Sequence, residues 1–410
     1  MNFVLVNIRT KEPTLGLKEN IGQFSLLVLV NAFVGGMLGL ERGILPKIAQ
    51  QEFNITNHSV ILLFIVFFGI SKAFANYFTG KLSEIWGRKN LLIIGWIISL
   101  PIPFIIIHAN HWNWILLANI FLGIQQGFTW SSTVNMKIDI VGQKNRGFAM
   151  GINESVGYMS VGVFAIISGY VASSFGLLPY PFYVGIALSF IGLFTSTFLV
   201  KDTGPYVQKE STTSIIPKIN GSLFHQTTWK DARLSSITQA GFINNLNDGM
   251  MWGLLPIFLV SRGVNTSEMS ELIAIYPMVW GISQIATGRL GDFSSKKKIL
   301  FWGMMLQGIA LYSFVYCYTK FSWILVSILL GLGTALVYPN FMSAIAENTH
   351  PNQRATSIGI FRLWRDLGYA FGAILAGLIS DLVGLESAFI VAAILTALSA
   401  LIIQFRMPTQ

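Results

Sequence analysis

The chain has 410 residues, of which 53% are hydrophobic and only 11% charged. A soluble protein carries about a quarter charged residues, so this composition excludes an ordinary water-soluble enzyme. The formal net charge of +9 would suit nucleic acid, but the basic residues fall in short polar breaks between apolar runs and read as topology instead.

Residues 1–20 are polar and basic and read as a short tail. The apolar run after them is too long for the h-region of a signal peptide, so an uncleaved anchor is expected. A helix needs about 20 mostly apolar residues to cross the hydrocarbon core. Stretches of that kind are predicted at 21–50, 58–80, 90–108, 112–137, 147–172 and 176–200. Residues 201–234 are polar, basic and rich in Ser, Thr, Pro and Gly, and read as a cytoplasmic linker, a tether with a regulatory segment as the alternative. Six more apolar stretches follow at 235–261, 266–288, 298–318, 321–346, 355–380 and 385–406. Barrel strands are about 10 residues long and alternate in polarity, unlike any of these. The expectation is an all-α polytopic membrane protein with twelve transmembrane helices in two six-helix bundles, 21–200 and 235–410.

Charge predicts the orientation. With residues 1–20 in the cytoplasm, about 20 of the 27 Lys and Arg fall in cytoplasmic loops and tails, and only Lys47, Arg262 and Lys320 fall outside. Both termini and the linker are then cytoplasmic, in a cytoplasmic (inner) membrane. The single cysteine, Cys317, allows no intramolecular disulfide. No metal-ligand spacing occurs; His108 and His111 merely sit three apart in a short loop. No cofactor motif is present, and no nucleic-acid partner is expected.

An internal repeat sets the organisation. A shift of 208 residues lays Gly80 on Gly288, Leu82 on Leu290, Glu84 on Asp292 and Gly95 on Gly303. The same shift lays Gly123 on Gly331, Arg146 on Arg354, Gly151 on Gly359 and Gly169 on Gly377. An even number of predicted spans separates equivalent points, so the two bundles are expected to be parallel copies.

The segment GKLSEIWGRKN, from Gly80, resembles the signature loop of the major facilitator superfamily, Gly-x-Leu-x-Asp-Arg-x-Gly-Arg-Lys. Gly80, Leu82, Glu84, Gly87, Arg88 and Lys89 match, with Glu84 for the usual Asp and Ile85 for the first Arg. A weaker second copy keeps Gly288, Leu290 and Asp292. The resemblance covers the whole chain and implies the major facilitator fold. Read physically, Gly80 and Gly87 let the second span end and the chain turn tightly, and Glu84 can face the positive end of another helix. The resemblance implies that this helix is the eleventh span and that Arg88 pairs with Asp139. Together these residues would form a conformational latch on the cytoplasmic side.

Ionisable residues within spans are costly and usually functional. Eight are singled out: Glu41, Arg42, Lys72, Glu154, Asp248, Arg362, Arg365 and Asp366, whose charges sum to zero. Arg362 and Asp366 lie one turn apart and could neutralise each other. Glu41 and Arg42 diverge by about 100° and cannot face the same partner. Glu41 is therefore a candidate proton carrier, a static pair with Lys72 or Arg42 being the alternative. Asn244, Asp248 and Trp252 are spaced by four, as are Gln126 and Trp130, and Tyr338 and Asn340 add a further polar pair. The resemblance implies that the first, fourth, seventh and tenth spans, which carry most of these residues, line the cavity.

Bacterial drug:proton antiporters of this superfamily carry an Arg in the fourth span and a Gly-Pro in the fifth. Here Asn119 and Tyr158 occupy those places. The expected activity is alternating-access secondary transport of a small organic solute, with proton-coupled efflux of amphipathic compounds as the leading reading. Uptake or exchange of an organic anion is the alternative, and a transporter-like sensor is the alternative from another class. No GxxxxGK[ST] is present for ATP hydrolysis, and no nucleophile–base pair marks an enzyme. The expected partners are the solute, protons and the bilayer, and the chain is expected to be a monomer.

Overall fold

A computed structural model of the chain describes residues 13–42, 44–55, 58–264 and 266–408. Before the linker, helices α1 (Ile21–Arg42) and α2 (Leu45–Gln51) are followed by α3 (His58–Ile85), α4 (Arg88–Ser99) and α5 (Pro101–Ile107). The long helices α6 (Trp112–Val141) and α7 (Arg146–Phe175) come next, then α8 (Tyr180–Phe194), which ends in a π-turn over Thr195–Leu199. The linker holds α9 (Gly204–Thr213) and the single turn α10 (Leu223–His225). After it come α11 (Ala232–Ser261), α12 (Thr266–Phe293), α13 (Lys296–Phe314), α14 (Lys320–Glu347), α15 (Pro351–Val383) and α16 (Leu385–Arg406). No strand occurs among the described residues.

Polarity is inverted relative to a soluble protein. Phe74, Phe78, Ile166, Phe198, Leu382 and Phe405 point outward, whereas Asn76, Gln126, Lys137, Asn153 and Arg362 are fully enclosed. Lipid solvates the first set, and the second must find partners inside. Among the described residues, seven helical stretches are long and apolar enough to cross a membrane by length and composition. Helices α6, α11, α12, α13 and α15 fall outside that set. Several of them carry the polar interior: α11 buries Asn244, Asn245, Asn247 and Asp248, and α15 buries Arg354, Arg362, Arg365 and Asp366.

Small residues set the close contacts. A Cβ at Gly36 would stand 2.9 Å from the Phe164 ring, and Gly35 and Gly39 face the α7 backbone at Gly157 and Val161. Two further contacts join the segments before and after the linker: α3 packs on α15, and α7 packs on α12. In the first, a Cβ at Gly80 would lie 2.7 Å from the Ala355 carbonyl and 3.0 Å from Gly359 Cα. In the second, Gly288 meets Gly147 and Gly151. The 208-residue shift carries Gly80 onto Gly288 and Gly151 onto Gly359, so the two contacts use equivalent positions.

One local expectation is corrected here. Gly80 does not end its helix, because α3 continues to Ile85 and takes the GKLSE segment with it. Its missing side chain serves helix–helix approach instead. Gly87 does make the turn, entering α4 at φ 84°, which favours glycine.

Candidate functional site

At the centre, four aromatic rings from four helices form a continuous seam. Trp130 of α6 packs on Tyr158 of α7 with centroids 5.4 Å apart, Tyr158 on Trp280 of α12 at 4.5 Å, and Trp280 on Tyr338 of α14 at 5.1 Å. The hydroxyls of Tyr158 and Tyr338 are 2.8 Å apart. Tyr276 stacks behind Trp280 and donates a hydrogen bond to Asp248.

A buried polar chain runs beside this seam. Trp130 Nε1 and Asn153 Nδ2 both donate to Glu154 Oε1, at 3.1 and 2.7 Å. Arg362 of α15 approaches the same carboxylate at 3.7 Å and donates to Ser131 Oγ at 2.8 Å. Ser131 donates to Asn76 Oδ1 at 2.6 Å, and Asn76 donates to Asp366 at 2.5 Å. Arg365 completes the set with two bonds to Asp366, at 2.9 and 2.7 Å. Asp366 is thus neutralised by its chain neighbour Arg365, and Arg362 reaches across to Glu154 rather than pairing with Asp366. Isolated charges at this depth would be prohibitively costly to desolvate, so pairing and hydrogen bonding are obligatory.

The remaining singled-out residues divide by surroundings. Arg42 and Lys72 are half-buried, and their charged ends lie over rings. Arg42 sits 4.9 Å and Lys72 5.4 Å from the Phe68 centroid, and Lys72 is also 5.3 Å from Trp130. Glu41 is enclosed, with its Oε2 lacking a hydrogen-bond partner.

Three residues of the expected polar stripes instead join helices. Gln126 donates to the Val34 carbonyl at 2.7 Å, and Asn244 accepts from Gln307 Nε2 at 3.0 Å. Asn340 donates to the Thr287 and Leu336 carbonyls at 3.1 and 2.8 Å. The structure therefore does not bring Asn340 to the side of Tyr338, since positions two apart on a helix diverge by about 200°. The Trp252 side chain lies outside the described residues.

Toward the linker, a second constellation joins the two halves of the chain. Glu84 Oε1 accepts from the Thr356 N–H at 3.1 Å, near the start of α15. Asp292 accepts from the N–H groups of Gly147 and Phe148 at 2.6 and 2.9 Å, in the first turn of α7. Unpaired N–H groups and the helix dipole both favour a carboxylate there. Arg88 Nε lies 2.9 Å from Asp139, and Lys296 lies 3.3 Å from Glu347. Lys89 contributes its backbone N–H, 3.4 Å from Asp202 of the linker. The 208-residue shift takes Glu84 to Asp292, Phe148 to Thr356, Arg88 to Lys296 and Asp139 to Glu347.

Several participants were missed in sequence. Lys137 is buried in α6 and donates to Asn153 at 2.5 Å. Tyr158 was read only as a departure from proline, and Trp280, Tyr276 and Glu210 were not singled out. Carrying Arg88 and Asp139 forward by the repeat offset would have found Lys296 and Glu347. No comparable signal marks Trp280.

The sequence profile described as Major Facilitator Superfamily matches residues 25–238 and again 237–410. Multidrug resistance protein MdtG of Escherichia coli O81 (strain ED1a) is 22% identical over 396 residues, covering 93% of each chain. MdtG of Escherichia coli (strain SMS-3-5 / SECEC) is 23% identical over 372 residues, covering 88% of each. The crystal structure of the human organic anion transporter MFSD10 (TETRAN) superposes with a TM-score of 0.76 at 16% identity. It covers 93% of this chain and 98% of its own. The Escherichia coli fucose:proton symporter FucP gives a TM-score of 0.75 at 13% identity, covering 95% and 99%. An all-helical multi-pass membrane protein with these matches is a transporter rather than an enzyme, and the chain belongs to the major facilitator superfamily.

Proposed function

We propose that the chain is a twelve-span secondary transporter of the cytoplasmic membrane, built as two parallel six-helix repeats and acting as a monomer. Both termini and the linker face the cytoplasm, and the carrier exports amphipathic organic compounds in exchange for protons. The observation that carries this reading is the aromatic seam Trp130–Tyr158–Trp280–Tyr338, which spans both halves beside buried charges. Aromatic walls with a few convergent polar groups suit solutes that are apolar with a polar end. The near-full-length similarity to MdtG supports efflux.

The pairing of contacts supports alternating access. The glycine contacts and carboxylate–helix contacts hold the cytoplasmic side closed in this state, and parting them would expose the seam from below. Glu41 serves as the coupling carboxylate. Its unpartnered buried oxygen is tolerable with a proton and costly without one, so its occupancy is tied to access.

Proton flux in inverted vesicles, with a panel of lipophilic cations, organic anions and sugars, tests the reading. A solute class that dissipates the pH gradient in wild type but not in Glu41→Gln supports it. Full solute-driven proton flux in Glu41→Gln removes Glu41 from the mechanism.

A second reading, transport of an organic anion, is favoured by Arg42 and Lys72, two half-buried residues whose cationic ends both lie over Phe68. An anionic group seated between them would gain two charge-assisted contacts. Competition by anions that disappears in Lys72→Met would establish it, and equal inhibition of both proteins would dismiss it.

A further inference from the structure

Several interhelical contacts on the cytoplasmic side come in pairs related by the 208-residue shift, and one set departs from that pairing in an informative way. Arg146 at the start of α7 and Arg354 near the start of α15 are equivalent positions, yet both reach a single carboxylate, Glu210 of linker helix α9. Arg354 donates through two nitrogens, at 2.9 and 2.8 Å, and Arg146 donates to the same Oε1. All three side chains are enclosed: Arg146 is 0%, Arg354 1% and Glu210 5% exposed. Arg146 also points Nη1 at the Ala346 carbonyl of α14, 3.5 Å away in the other half.

The linker is anchored on both sides of this point. Thr203 donates to Asp139 Oδ2 at 2.8 Å, and Tyr206 donates to Asn20 at 2.8 Å, both in the first half. Ile219 exchanges two hydrogen bonds with the Gln353 side chain in the second half, at 2.8 and 3.0 Å. A segment whose composition suits a plain tether is packed into the seam between the halves.

Two guanidiniums brought together away from water repel each other, and a shared carboxylate converts that repulsion into attraction. The other nearby anions are already engaged: Asp139 lies 2.9 Å from Arg88 and 3.8 Å from Arg354, and Glu347 lies 3.3 Å from Lys296. The closed arrangement therefore depends on a charge that neither half supplies.

We propose that Glu210 is a gating residue for transport: the linker carboxylate joins Arg146 and Arg354 in the cytoplasm-closed state and releases one of them when the halves part. Because Thr203 and Tyr206 tie α9 to the first half, Arg354 is the partner that leaves. The linker is then a third component of the gate, and its displacement is a route by which the cytoplasmic face can control the cycle. This inference rests on the alternating-access reading above.

The test uses the full chain in lipid nanodiscs. Spin labels are placed at Lys144→Cys and Asn352→Cys, two exposed cytoplasmic positions related by the repeat shift, in a Cys317→Ser background. The inter-label distance distribution reports closure. Glu210→Gln is expected to lower the ratio of short-distance to long-distance populations about tenfold or more, the scale of a lost charged hydrogen-bond pair. Adding Arg146→Gln to Glu210→Gln removes the repulsion and is expected to restore the short distance, an outcome that loss of a merely structural group would not produce. An unchanged distribution in a monodisperse Glu210→Gln protein overturns the proposal, and so does opening that Arg146→Gln fails to rescue. Wild type speaks separately to alternating access: a single distance with and without solute, across pH, counts against that reading. The effect of Glu210→Gln still decides the role of the clasp, the Arg146–Glu210–Arg354 contact.

Discussion

Tyr158 and Tyr338 touch hydroxyl to hydroxyl at 2.8 Å across the two halves of the chain, with the Trp280 ring packed against both. The seam therefore belongs to neither half alone. A solute seated against it gains ring contacts worth about 0.5–1.5 kcal/mol each beyond their buried area. Tyr158→Ala is expected to weaken binding of an amphipathic solute by about tenfold or more. Tyr158→Phe, which loses only a hydrogen bond, should change it less than tenfold. Equilibrium binding followed by tryptophan fluorescence measures both, and identical affinities would place the solute elsewhere.

The two carboxylate–helix contacts, Glu84 with Thr356 and Asp292 with Gly147 and Phe148, share no partner. Independent contacts add in free energy. Glu84→Gln and Asp292→Asn should each slow transport while leaving solute binding intact. Each is expected to shift the closed-to-open ratio by a factor set by about 0.3–1 kcal/mol of dipole stabilisation. The double variant should show the product of the two factors. A double variant no worse than either single would mean that the contacts act as one unit.

Gly80 sits where a Cβ would fall 2.7 Å from the Ala355 carbonyl, across the interface rather than within one bundle. Gly80→Val should hold the linker side apart without unfolding either half, because overpacking costs about 1–3 kcal/mol and can be relieved by separation. Label distances at 144 and 352 are expected to lengthen while thermal stability stays near wild type. A short distance in Gly80→Val would show that the α3–α15 contact is not what closes the gate.

The pH dependence of the clasp has a definite sign. Burial opposes the charge on Glu210, but Arg354 and Arg146 outweigh it and hold the carboxyl below its ordinary value. A depressed carboxylate contributes stability that is complete above its unfolded value, about 4.3, and is lost as pH falls through the folded value. The closed population should thus be independent of Glu210 titration from pH 8 to about pH 5 and decline only in stronger acid. A closure midpoint near pH 6 that vanishes in Glu210→Gln would contradict this ordering of the charges.

Much of the architecture was legible because it is written in periodic or local signals. Long apolar runs, the 11% charge and the GKLSEIWGRKN segment announced a helical membrane protein of this superfamily. Glu84, Arg88 and Asp139 were named from a resemblance, and the geometry places them in contact with Thr356 or with each other. The centre was read less well. Spacing by four predicts a shared helix face, not what stands opposite it. Gln126 and Asn244 spend their hydrogen bonds on α1 and α13 because a polar group in an apolar medium takes the nearest partner.

What the sequence by itself determined is the class of the chain and its family, since burial in lipid requires long apolar segments and the GKLSEIWGRKN segment is a local pattern. Beyond the Arg88–Asp139 pair, only the tertiary structure decided which charges meet. Arg362 crosses to Glu154 while Asp366 is satisfied by Arg365 and Asn76, and Glu210, an ordinary residue in a polar linker, is enclosed by Arg146 and Arg354. Those pairings join residues up to 290 positions apart along the chain. They depend on how helices cross and rotate, and no local pattern carries that information.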